Sequence, residues 1–144
     1  SKLEGFVAGL PAATRARVAI HRTALADKAG TLRFQDDGSH SAKADASAGV
    51  EVPCVALDDL LEGRTPTFLK LDLEGGEHPA LDGLQRTLAQ SRPIVAIAVY
   101  HHPEDLLGLP TRLMDTLQGY RFHLRSHNRF GVDVILYAVP EERA

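Results

Sequence analysis

Asp72, Glu74, Glu77 and His78 fall within seven residues, around the pair Gly75-Gly76. Carboxylates so spaced can orient hydroxyl groups, move a proton or hold a cation. The stretch "FLKLDLEGGEHPALDGL", Phe68 to Leu84, runs from an apolar, β-prone half into this acid and then into an amphipathic run. His101 and His102 follow a second apolar run, "PIVAIAVY". If both runs are parallel neighbours, the acids and the histidines stand at the carboxyl ends of adjacent strands, where α/β sheets bind ligands. Gly75-Gly76 lets the backbone turn sharply and leaves room beside it.

Each residue also has a plainer account. Asp72 can accept from loop amides, and Glu74 can hold a turn. Glu77 sits where the positive end of a helix favours a carboxylate. His101 and His102 can be surface residues before a proline turn. The cluster at two strand ends favours a site over these separate accounts. Read as ligands, Asp72, Glu74, Glu77, His78 and His101 suit a divalent metal and a metal-dependent hydrolase, but no compact metal signature is present, so the expected metal is none.

The elements that must position these residues follow from period and punctuation. Lys2 to Leu10 reads as a short helix stopped by Pro11. Arg17 to Leu25 reads as a strand, "DKAG" as a turn, and Thr31 to Phe34 as a second strand. Gln35 to Gly49 is small and polar and reads as a surface loop. Val50 to Leu57 is a strand, and Asp58 a cap for the short helix "DDLLEG". Thr67 to Leu73 is a strand. His78 to Gln90 is one helix, with Leu81, Leu84 and Leu88 on a face. Pro93 to Tyr100 is a strand buried on both faces. Pro103 to Gln118 is helical, broken near Gly108 to Pro110 and stopped at Gly119. Tyr120 to Arg125 and Asp133 to Val139 are closing strands. The expected class is α/β, a largely parallel sheet ending in an antiparallel hairpin.

The 144 residues, 44% hydrophobic and 24% charged with a formal net charge of -3, suit one domain with a core. This balance offers no electrostatic footprint for nucleic acid, and the apolar runs are too short to span a bilayer. The single cysteine, Cys54, makes no internal disulfide and sits in an apolar run; it reads as a buried thiol, and the compartment as cytoplasmic.

"FLKLDLEGGE", with "ALDGLQRTL" and "RPIVAIAVYHH", resembles the FkbM family of S-adenosylmethionine-dependent methyltransferases. The family signature of lysine, apolar, Asp, apolar, Glu, Gly, any residue, Glu is met by Lys70, Asp72, Glu74, Gly75 and Glu77. "VEVPCVALDDLL" is similar to its Val–x–Leu–Asp–Asp segment, and "TALADKAGTLRF" to its Ala–Leu–x–Asp–x–x–Gly segment. "GYRFHLR" and "DVILYAVP" resemble its closing hairpin. The resemblance implies a Rossmann-like class I methyltransferase fold, S-adenosylmethionine as cofactor, and O-methylation of a small-molecule or saccharide hydroxyl. It places adenine contacts at Ala24 and Leu25 and the methionine part of the cofactor near Asp72. Asp72, Glu74 and Glu77 become substrate-positioning candidates. His101 becomes the candidate base, because an imidazole ordinarily titrates near neutrality.

Two departures qualify this. Where the family carries a glutamate just before its strand-end histidine, this chain has Ala98 or Val99. The family's opening strands and glycine-rich turn are not found; Gly5 and Gly9 have no strand before them. Residues 1–144 are therefore expected to form a single partial domain lacking its first two strands, the carboxyl-terminal part of a longer one. The alternatives are a degenerate, non-catalytic interaction module, or a sheet completed by another chain. A bare strand edge favours self-association, hence an expected homodimer. No nucleic-acid or membrane partner is expected.

Overall fold

The computed structural model describes residues 1–34, 49–128 and 133–144. The expected loop from Gln35 lies outside the described residues, apart from Gly49.

Among the described residues seven strands form two sheets. In the first, β1 (Ala24–Leu25), β3 (Val50–Val55) and β2 (Gly30–Phe34) lie in that order, with β1 parallel and β2 antiparallel to β3. In the second the order is β4 (Phe68–Leu71), β5 (Ile94–Ala98), β7 (Val134–Pro140), β6 (Tyr120–Ser126). Here β4 and β5 are parallel, while β7 runs antiparallel to both β5 and β6. The closing hairpin forms as expected. The sheets are nonetheless mixed rather than largely parallel, because β2 turns back onto β3 and β7 inserts beside β5.

The apolar alternation explains the layers. Leu69 and Leu71, Val95 and Ile97, and Leu136 and Ala138 point to one face of the second sheet, since side chains alternate along a strand. There they meet Leu81, Leu84 and Leu88 from α4 (Glu77–Asp82) and α5 (Gln85–Ser91), and Leu109 and Leu113 from α6 (Asp105–Thr116). Ala96, Ala98 and Ile135, with Tyr100 and Tyr137, face the other side. Among the described residues β4 pairs only with β5, so its outer edge is bare.

Four sequence expectations need correction. The single helix over His78 to Gln90 is two. A Cβ on Gly83 would stand 2.0 Å from the Ala26 carbonyl oxygen, so only glycine lets this corner touch the first sheet. Asp58 does not cap its own helix, α3 (Leu57–Leu60), whose cap is Ala56. Its carboxylate accepts instead from the Arg86 and Thr87 amides at the start of α5, at 2.8 and 2.7 Å. A side-chain cap of this kind stabilises by about 1 kcal/mol. Of Arg17 to Leu25 only Ala24–Leu25 is strand; the residues before it find no ladder among the described residues. Finally, α6 (Asp105–Thr116) runs unbroken through Pro110, because buried Leu109 and Leu113 anchor it on both sides of the missing amide. α1 (Lys2–Ala8) follows the expected span, fixed by a capping box between Ser1 and Glu4, and the short α2 (Ala12–Arg15) follows Pro11.

Candidate functional site

β4 and β5 end side by side, so the turn after β4 faces the segment after β5. Leu73 to Gly76 closes as a tight turn, the Gly76 amide donating to the Leu73 carbonyl at 3.0 Å. Both central residues have positive φ, +53° at Glu74 and +97° at Gly75. Glycine meets that demand without strain; Glu74 meets it against its own preference. Gly75 also has a steric reason. A Cβ there would stand 2.3 Å from His102 Cε1, so the imidazole packs directly on the bare backbone.

Glu77 organises the turn. It is the first residue of α4, buried, and its carboxylate accepts from the Leu73 amide at 2.7 Å and the Gly75 amide at 3.0 Å. It also accepts from His101 Nδ1 at 2.9 Å. A carboxylate only accepts, so Nδ1 carries the proton and a neutral His101 presents a lone pair at Nε2. The His101 side chain is only 5% exposed, and Nε2 has no hydrogen-bond partner. Two oxygens face it, Asp72 Oδ1 at 3.5 Å and Glu74 Oε2 at 3.6 Å. Lys70 donates to the other Asp72 oxygen. Burial, and then the negative charge of Asp72, push the Tyr100 phenol up to about 12, so its hydroxyl keeps the proton and leans on Asp72 Oδ1 at 3.4 Å.

A second cluster lies alongside. Buried Asp105 contacts His78 Nε2 at 3.2 Å and accepts from His102 Nδ1 at 3.1 Å. Arg112 donates to the His78 carbonyl at 3.0 Å and to Asp82 at 2.5 Å. Asp105 thus fixes His102 over Gly75. Beside them opens a cavity of about 450 Å³, walled by Ala24, Leu25, Phe34, Glu74, Gly75 and His102 among others. That volume suits a small-molecule ligand.

The sequence-predicted residues therefore divide. Asp72, Glu74, Glu77 and His101 come together. Ala24 and Leu25 line the cavity with Glu74. Asp72, Glu77 and His101 lie behind the turn rather than on the cavity wall, and Glu74 joins the two. Asp105 escaped the sequence reading, and Asp27 entered it only as part of a turn and of the family's Ala–Leu–x–Asp–x–x–Gly segment. Asp27 lines the cavity, shortly after the Ala24–Leu25 strand. The signal for Asp105 was its place three residues after His102, where one turn can bring carboxylate and imidazole together.

The model of the Methyltransferase FkbM domain matches residues 12–124. The crystal structure of Methyltransferase FkbM from Methylobacillus flagellatus KT is similar in fold, with a TM-score of 0.75 at 24% identity. The alignment covers 94% of this chain and 32% of that one, so the chain spans about a third of that structure's length. No curated protein matches.

Proposed function

The chain belongs to the FkbM methyltransferase family, and from that premise we propose that it serves S-adenosylmethionine-dependent O-methylation of a small-molecule or saccharide hydroxyl. One observation carries the reading: a ligand-sized cavity lined by Ala24 and Leu25 is joined through Glu74 to a buried imidazole nitrogen without a partner. The apolar pair suits a flat purine, and His102, packed on the bare Gly75 backbone, is part of the same cavity wall. S-adenosylmethionine, when bound, supplies an electrophilic methyl group. The chain's own residues do the rest. Asp72 and Glu74 accept from the acceptor's hydroxyl groups and align them, which reduces the entropy still to be lost at the barrier. His101 Nε2 takes the proton of the attacking hydroxyl, and Glu77 steadies the imidazolium so formed.

The proposal extends to the architecture. The Rossmann-like sheet gains its first two strands beside β4, whose bare outer edge supports this. A second copy of the chain could use the same edge, and sedimentation tests for that dimer. No helix among the described residues is long and apolar enough to cross a membrane. A cytoplasmic setting is proposed from the one cysteine, which is buried and free.

A non-catalytic module is the second reading. Ala98 and Val99, where the family carries an acid, are wholly buried apolar residues. Calorimetric titration with S-adenosylhomocysteine decides, run on this chain and on its gene's longer product where one is encoded. Binding by either supports the cofactor reading. Binding by neither puts the non-catalytic module first.

A further inference from the structure

We propose that Asp72, Glu74 and His101 bind one divalent transition-metal cation, with Glu77 as the outer partner that fixes the imidazole. The distances make the case. Nε2 lies 3.5 Å from Asp72 Oδ1 and 3.6 Å from Glu74 Oε2, too far for good hydrogen bonds. Two ligands of one tetrahedral ion at about 2.0–2.1 Å stand roughly 3.4 Å apart, close to the spacing seen. The lone pair is aimed at these oxygens from a side chain nineteen-twentieths buried, and nothing else satisfies it. Asp72 and His101 also belong to a group of three whose possible ligand atoms lie within 4.8 Å of one another, the third member being Glu77 rather than Glu74. Glu77 is unsuited to direct ligation with Nε2, because its carboxylate is taken up by two amides and by Nδ1 on the far side of the ring. Carboxylate to imidazole to ion is the usual arrangement around metal-bound histidine.

The neighbouring cluster shows the contrast. His78 Nε2 and His102 Nδ1 both rest on Asp105, at direct contact distances. The site at His101 has the opposite character: two oxygens of the right type, held slightly too far away. Mixed nitrogen and oxygen ligands select Zn2+ or Mn2+ over Mg2+ or Ca2+.

The ion's role, though not its binding, rests on the methyl-transfer reading. An open position on the ion would hold the acceptor oxygen and lower the pKa of its hydroxyl. The O–H bond then breaks with its proton passing to solvent, and the new O–C bond forms from that oxygen's electron pair as the methyl's S–C bond breaks, leaving its electrons on the sulfur of S-adenosylhomocysteine. His101 is base in the ion-free protein and ligand in the loaded one.

The test is titration of Mn2+ into the chelator-treated full chain by calorimetry, with pulsed EPR to detect imidazole nitrogen on the ion. The expected result is one ion per chain with nitrogen coupling, and at least a tenfold loss of affinity in Asp72→Asn and in Glu74→Gln. Glu74 is partly exposed, so that variant keeps the test alive if the other misfolds. Absence of binding, absence of nitrogen coupling, or equal affinity in the variants overturns the inference. Titration with S-adenosylhomocysteine in parallel separates the two ideas. Mn2+ binding without nucleoside binding keeps the ion and removes its role in methyl transfer. The reverse removes the ion and leaves methyl transfer standing.

Discussion

β5 has a charged cluster at each end, and the two are built to opposite specifications. At its start stands Arg92, with φ +42°. Its guanidinium donates to Glu142 at 2.8 and 3.1 Å, to the Gln118 carbonyl at 3.0 Å and to the Gly119 carbonyl at 3.1 Å. It also lies 4.9 Å from the centre of the Tyr120 ring. Every donor nitrogen is used, and the terminal turn Glu141–Arg143 is tied to the sheet. At the other end Glu74 has a similar φ, +53°, yet its cluster closes on nothing: Nε2 of His101 is left over. The same backbone strain thus sits beside a guanidinium whose every nitrogen is bonded, with the Tyr120 hydroxyl the buried atom left over, and at the other end beside an unpartnered imidazole nitrogen. That nitrogen faces two carboxylate oxygens, which marks the second end as the place for a ligand.

Substitutions at the two ends should separate activity from stability. His101→Gln should lower methyl transfer by roughly 10²–10⁴-fold, read as S-adenosylhomocysteine release with an acceptor in hand, with a small change in urea midpoint. Equal activity in that variant would erase the contrast. Glu77→Ala removes the acceptor for two buried amides and His101, and should cost roughly 3 kcal/mol in urea unfolding as well as activity. Glu77 would then be the one residue on which both properties depend.

Arg92→Ala should lower the urea midpoint and leave S-adenosylhomocysteine affinity unchanged. Its effect should depend on acid. Hydrogen bonds from Arg92 hold the Glu142 carboxyl down to about 2, below its ordinary value of 4.5. A depressed folded pKa stabilises above the unfolded value and is lost as pH falls through the folded one. The gap between wild type and Arg92→Ala should therefore be full above pH 5 and shrink steadily toward pH 2. A gap that stays constant would mean the carbonyl contacts, and not Glu142, hold this end.

The smallest effect should come from Glu74→Gly. It relieves the positive φ and should raise stability by about 1 kcal/mol while weakening Mn2+ binding. Loss of stability there would show that the Glu74 side chain braces the turn.

Much of this site was legible because its geometry follows from local rules. Two apolar runs of strand length fix β4 and β5, and parallel neighbours bring Asp72, Glu74 and His101 to one edge. Lys70 stands two residues before Asp72, on the same side of the strand, and the two pair. The hidden parts depend on residues far apart in sequence. The break at Gly83 is set by Ala26, and the cap of α5 by Asp58. The insertion of β7 beside β5 leaves no mark in either strand, so the balance of parallel and antiparallel pairs stayed unread. Asp105 looked like an ordinary acid in a first helical turn; only its burial between two imidazoles distinguishes it.

The bare outer edge of β4 has a consequence for solvent isotope exchange. Amides along a strand point alternately to its two sides. In β4 one set is bonded to β5, while the other has no strand beside it among the described residues. Deuterium should therefore enter this short strand at two rates, residue by residue, with slow and fast amides interleaved. Any strand that comes to lie against it would slow only the fast set. β4 would thus report the arrival of a neighbour and the side on which it docked.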